Sequence, residues 1–254
     1  MPTNITACPP SDAAAPPADD EKIAVKVANN ESFCVKYELL MLSSVLRDAF
    51  HMQSLSGGAS DKQAIKNAEI ELNCTAGQAK WLFGILEGKG LNDLKESTMR
   101  FSSVGPSLGS LMSSEDATTP SPIVLRHVLR SADFYDFPFF PRIMKEVLYE
   151  LADKGTAYAL SAAAMAIDQR DLKMARYAIK HMGGLPSPLA FDKLAVQAIG
   201  LDVWWCLVDA YRRTIADART SVRVHYDTQT QEVAVPWSGD LTQWTSIANA
   251  IVFE

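Results

Sequence analysis

Between Ile23 and Phe50 the spacing of apolar residues switches from two to three-and-four, and this switch constrains the fold more than any other feature of the chain. Ile23, Val25 and Val27 alternate with Ala24 and Lys26, and Phe33 and Val35 resume the alternation after Asn29-Asn30. Period two marks a half-buried strand, and paired Asn residues tolerate turn geometry, so this stretch is expected to form a hairpin. Over residues 37–52 the period is helical. Leu39, Leu42, Leu46 and Phe50 share one side, with Ser44, Arg47 and Asp48 on the other. Leu39, Leu42 and Leu46 are either core or a partner-facing stripe.

Residues 68–72 (AEIEL) alternate again and are expected to be a third strand. Thr75 with Gln78 three residues on is a capping box, opening a helix with Ala79, Leu82, Phe83 and Leu86 on one face; Gly88 and Gly90 stop it. Residues 91–121 are aperiodic and are expected to be a long loop insertion. Ser121-Pro122 restarts order with a cap followed by Pro at the first helical position. Leu125, Val128, Leu129 and Ala132 then form one amphipathic face, and Ile143, Val147, Leu148 and Leu151 the next. From Lys154 the pattern is mostly helical: residues 156–167, a helix capped by Asp168, another opened by Ser187-Pro188, and one over 203–215 after Gly200. A late hairpin is expected over 221–237, before an amphipathic end (Leu241, Trp244, Ile247, Ile251).

Composition narrows the function classes. The net charge of −6 and the absence of a basic stripe argue against direct nucleic-acid binding. Arg212-Arg213 is an isolated pair, read as a solvated helix face. Residues 1–20, rich in Pro, Ala and Asp, bury almost nothing and are expected to be a disordered tail. They lack the apolar run of a secretory leader, no stretch is long enough for a membrane span, and an intracellular location, cytoplasmic or nuclear, is expected. Cys8, Cys34, Cys74 and Cys206 have no metal-ligand spacing, and Cys34 and Cys206 are read as buried reduced thiols. There is no GxSxG, no HExxH and no GK[ST] after Gly57-Gly58; His51, His127, His181 and His225 are scattered. Asp133 and Asp136 lie one turn apart, so both carboxylates could share a face. No enzyme, metal or cofactor is expected.

Three stretches resemble the BTB/POZ domain family. FCVKYELLMLSSVLRDAF is similar to its strand running into a leucine–serine helix, with Leu39, Ser43, Leu46, Arg47 and Phe50 on the pattern. IELNCTAGQAKWLFGILEGKG is similar to its strand, cap and Phe/Leu helix, with Glu87 where the family carries an aromatic. VLRSADFYDFPFF resembles its leucine–alanine–aspartate–x–tyrosine segment. The resemblance implies an α+β fold: a three-stranded small sheet covered by helices over residues 21–152 (91–121 inserted), with Leu39, Leu42 and Leu46 in the core, followed by a mostly helical region over 153–254. It also implies an interaction module that binds other proteins as adaptor or assembly subunit, in homo- or hetero-oligomers. Adaptors of cullin-based ubiquitin ligases in this family typically carry an apolar residue followed two positions later by Glu after the serine helix. Here residues 51–68 contain no Glu, so that role ranks below a general regulatory one. An enzyme or ligand carrier with a site in 153–254 is the alternative from another class. Trp204 and Trp205 are the candidate partner-binding residues: neighbours on a helix point about 100° apart, so one of them is the candidate exposed anchor.

Overall fold

The structure, a computed structural model, describes residues 22–28, 31–57, 70–89, 108–112, 121–223 and 240–253. Its contacts group into two units, Met1–Lys89 with His127–Pro141 and Gly90–Arg126 with Arg142–Glu254. Among the described residues the chain is mostly helical, with one two-stranded antiparallel hairpin.

The hairpin pairs β1 (Lys22–Lys26) with β2 (Ser32–Lys36), matching Ile23 to Val35 and Val25 to Phe33. The alternation is honoured: Ile23, Val25 and Val35 are buried, while Lys22 and Ala24 are exposed. Among the described residues the expected three-stranded sheet does not form, and residues 68–69 of the expected third strand lie outside them. Glu71 makes only an isolated parallel bridge with Lys26, through Lys26 N–H to Ile70 O (2.7 Å) and Leu72 N–H to Lys26 O (2.8 Å). Ile70 and Leu72 are buried as the pattern demands, but Cys74 N–H turns back to Leu72 O at 2.8 Å. That tight turn interrupts the regular ladder, although Cys74 O still accepts Ala28 N–H at 2.9 Å.

The helix expected over 37–52 is two helices, α1 (Tyr37–Met41) and α2 (Ser44–Gly57). Bonds from Leu42 N–H to Leu39 O and Ser43 N–H to Leu40 O tighten the end of α1. Ser43 then caps α2 by accepting Leu46 N–H at 3.0 Å. The break rotates the surface: Leu39 and Leu46 are buried, but Leu42 is exposed, contrary to its placement in the core.

The next helix, α3 (Ala76–Leu86), carries the Thr75–Gln78 capping box in full. It ends in a Schellman motif, with Lys89 N–H on Gly84 O, Gly88 N–H on Ile85 O and Gly88 at φ +70°. Phe83 stacks on Phe33 and meets the edge of Phe137, each with centroids at 6.2 Å. The half-buried Glu87 that follows pairs with Lys89 at 2.5 Å and lies 4.0 Å from Lys36.

Within the expected 91–121 loop lies a short helix, α4 (Leu108–Met112), with Leu108, Leu111 and Met112 buried. Five residues are too few to show a period, and its burial is set by distant partners: Gly109 N–H donates to Asp192 at 3.0 Å. Next come α5 (Pro122–Phe134), capped by Ser121 through Val124 N–H, and α6 (Phe140–Lys154).

In the second unit, α7 (Thr156–Asp168) is buried on every side from Ala157 to Ile167. Its small Ala side chains let other helices approach closely. α8 (Leu172–Lys180) packs on it and is capped by Asp171, not by Asp168 as expected. The reason is Arg170 at φ +55°, which closes α7 and places Asp171 at the new start, while Asp168 pairs with Arg126 at 2.6 Å. Ser187-Pro188 opens only a 3-10 turn (Pro188–Ala190). Beyond it lie α9 (Lys193–Ile199, capped by Asp192), α10 (Leu201–Arg223) and α11 (Leu241–Ala250, capped by Asp240). The expected late hairpin falls on the last residues of α10 and otherwise outside the described residues, as do the tail and most of 91–121. Cys34 is disulfide-bonded, correcting its reading as a reduced thiol; thiol pairing depends on spatial approach, which spacing in sequence does not reveal. Cys74 and Cys206 are free.

Candidate functional site

In the first unit, the start of α2 is joined to the end of α5. The fully buried Ser43 hydroxyl donates to Tyr135 O, Ser44 Oγ bonds the Asp136 carboxylate, and Ser44 N–H reaches Asp136 O at 3.4 Å. Tyr135 OH in turn accepts Asn73 N–H at 2.8 Å, and burial raises the pKa of this phenol. Asp136 sits at φ +50°, in the left-handed region, as the closing residue of a Schellman motif: Phe137 N–H bonds Ala132 O and Asp136 N–H bonds Asp133 O. The Asp136 carboxylate is thus engaged by Ser44, and Asp133 contributes its backbone carbonyl to the motif.

On either side of this joint, large apolar side chains face water. Leu42 and Val45 flank Ser43 and Ser44, and Phe134 precedes Tyr135; Phe139 follows Phe137. All four are exposed, the two phenylalanines at 67%, although Phe137 and Phe140 beside them are buried. None of the four was identified from sequence as a surface group. The only signal was FYDFPFF itself, where more aromatic residues occur than one face can bury. A pocket of about 350 Å³ also opens on this unit, lined by Met41, Arg47, Asp48, Phe50 and His51.

In the second unit, the two candidate tryptophans occur together. Their Cα–Cβ bonds diverge, yet the rings swing back into a stack with centroids 5.2 Å apart and planes at 11°. Trp204 is half-buried and donates Nε1–H to Pro188 O at 2.8 Å, whereas Trp205 is 49% exposed. Phe191 is at the edge of the core and Tyr211 half-buried. Arg212, read from the sequence only as part of a solvated helix face, has its guanidinium carbon over the Trp205 ring, 5.2 Å from its centroid.

Two further small sets of polar side chains occur, one on each unit. Gln78 Nε2 and His127 Nδ1 are 2.7 Å apart. On the second unit Tyr177 OH donates to Asp153 at 2.7 Å, which raises the tyrosine's pKa, and His181 Nε2 lies 3.4 Å from the same carboxylate. Among the described residues no group of three His, Cys, Asp or Glu is placed to hold a metal ion, and no single helix is long and apolar enough to cross a membrane. No protein-family model, curated protein or solved structure matches this chain.

Proposed function

We propose that this chain is a protein–protein interaction module, of the BTB/POZ type that its sequence resembles, acting as adaptor or assembly subunit in a regulatory complex. The observation that carries the reading is the display of Leu42, Val45, Phe134 and Phe139 around a buried, hydrogen-bonded joint. Scattered single apolar residues on a surface are ordinary; several large ones held on two tied elements mark a contact site. The joint keeps their backbone in place without a partner, so less order has to be gained on association.

The test is affinity purification of the full chain from its native cell, beside Leu42→Glu and Phe134→Glu variants. The same partner proteins should be recovered with the parent chain and lost from both variants, at unchanged melting temperature. Retention of every partner by both folded variants would refute the reading.

A further inference from the structure

The exposed side of α10 carries a cation that its neighbours leave available. Arg213 is paired with Asp209 at 2.5 Å, one turn earlier. Arg212 has no carboxylate partner among the described residues and lies instead over Trp205. A guanidinium resting on an aromatic face keeps its in-plane N–H groups, and their fork matches the two oxygens of a carboxylate. The ring beneath it is itself restrained, since Trp204 stacks on Trp205 and is pinned by its bond to Pro188 O. Much of the ordering cost of a charged contact is thereby met before any ligand arrives. Leu201, 62% exposed, lies one turn before Trp205 on the same face.

We infer that the Leu201–Trp205–Arg212 stripe docks an acidic segment of a partner protein, in which a carboxylate side chain lies close in sequence to an apolar one. The carboxylate takes the Arg212 fork, and the apolar side chain rests on Leu201 and the exposed part of Trp205. The Arg212 guanidinium reaches back over Trp205, about 6 Å along the helix axis from Leu201, while the Trp205 and Arg212 backbones are about 10 Å apart. At about 3.3 Å per extended residue, this places the two ligand side chains about two to four positions apart. Charge selects the partner's sign: Arg213 is already neutralised by Asp209, so among the described side chains of this helix the cation left to answer is Arg212. The site lies on the second unit and does not depend on the Leu42–Phe134 surface.

The experiment selects a random dodecapeptide phage library against the full chain and titrates the enriched peptides, fluorescein-labelled, by anisotropy. Enriched sequences should carry Asp or Glu two to four positions from Leu, Ile, Phe or Trp. Arg212→Gln should weaken them about tenfold or more, the scale of a charge-assisted bond, and Trp205→Ala should do likewise. Arg212→Lys should restore only part of the affinity, since Lys lacks the fork, and Arg213→Gln should change it little. Leu42→Glu, on the other unit, should leave it unchanged. Failure to enrich any peptide, enrichment of sequences without an acid, or equal affinity for folded Arg212→Gln would overturn the inference. So would full competition by acetate alone, which would reduce the site to a simple anion contact.

Discussion

Replacing Ser43 by Ala removes one oxygen atom and strands two backbone groups, the Leu46 N–H that it accepts and the Tyr135 carbonyl to which it donates. Ser43 is 0% exposed, so water does not replace the lost partner. Loss of the cap on α2 costs about 0.5–2 kcal/mol. A buried carbonyl left without a donor costs about 1–3 kcal/mol. Both effects run through the same atom and the surroundings relax, so the sum is not simply additive. A loss of roughly 2–4 kcal/mol is expected. Ser44→Ala is the control: its hydroxyl meets Asp136 at the surface, where water substitutes, and the cost should stay below about 1 kcal/mol. Urea unfolding followed by tryptophan fluorescence and far-ultraviolet circular dichroism measures both; Trp81, fully buried in the first unit, reports on the region concerned. With a slope of about 2 kcal/mol per molar urea, Ser43→Ala should lower the midpoint by roughly 1–2 M, and Ser44→Ala by less than half of that. Equal midpoints for the two variants would show that the Ser43–Tyr135 bond does not hold α2 to α5.

Gly109→Ala should destabilise by roughly 1–3 kcal/mol. Its new methyl would overlap the Asp192 carboxylate and lie 2.5 Å from Leu194 Cβ, and thermal unfolding measures the loss. Asp171→Asn keeps a good cap but loses the 2.5 Å pair with Lys145. Burial pushes this carboxyl up, but the bonds from Lys145 and from the Met174 and Lys173 N–H groups outweigh it and hold the pKa below the ordinary 3.8. The native stability advantage over Asp171→Asn should therefore be full above pH 3.8 and vanish as pH falls through the lower folded value, read from denaturant midpoints across that range. Burial pushes the Cys74 thiol up to about 11, leaving roughly one part in a thousand ionised at pH 8. Maleimide labelling followed by mass spectrometry should modify Cys206 in the native protein and Cys74 only after denaturant is added.

Where a signal lies within a few residues, it was legible in the chain. The alternation of Ile23, Val25 and Val35 specifies a hairpin, because side-chain direction in a strand repeats every two residues whatever surrounds it. Thr75 and Gln78 specify a helix start, because both halves of the capping box close on their own backbone. Ser121-Pro122 and Gly200 mark boundaries for the same local reason. That one of Trp204 and Trp205 should be exposed could be read from the sequence, because neighbouring helical side chains point about 100° apart. Which of the pair would emerge, and that Arg212 would lie across it, were settled by the seat that Pro188 O provides for Trp204. The break between α1 and α2 was equally hidden. Ser43 acts as a cap only because Tyr135, 92 residues away, supplies a carbonyl for its hydroxyl, and the resulting turn is what leaves Leu42 facing solvent. Of the 68–72 segment, the described residues 70–72 gain one bridge to Lys26, because the turn that joins Cys74 N–H to Leu72 O breaks the regular ladder before Cys74 O meets Ala28 N–H at 2.9 Å. Local propensity is written in neighbouring residues, but the partner of a buried polar group is chosen by proximity in space, which no window along the chain contains.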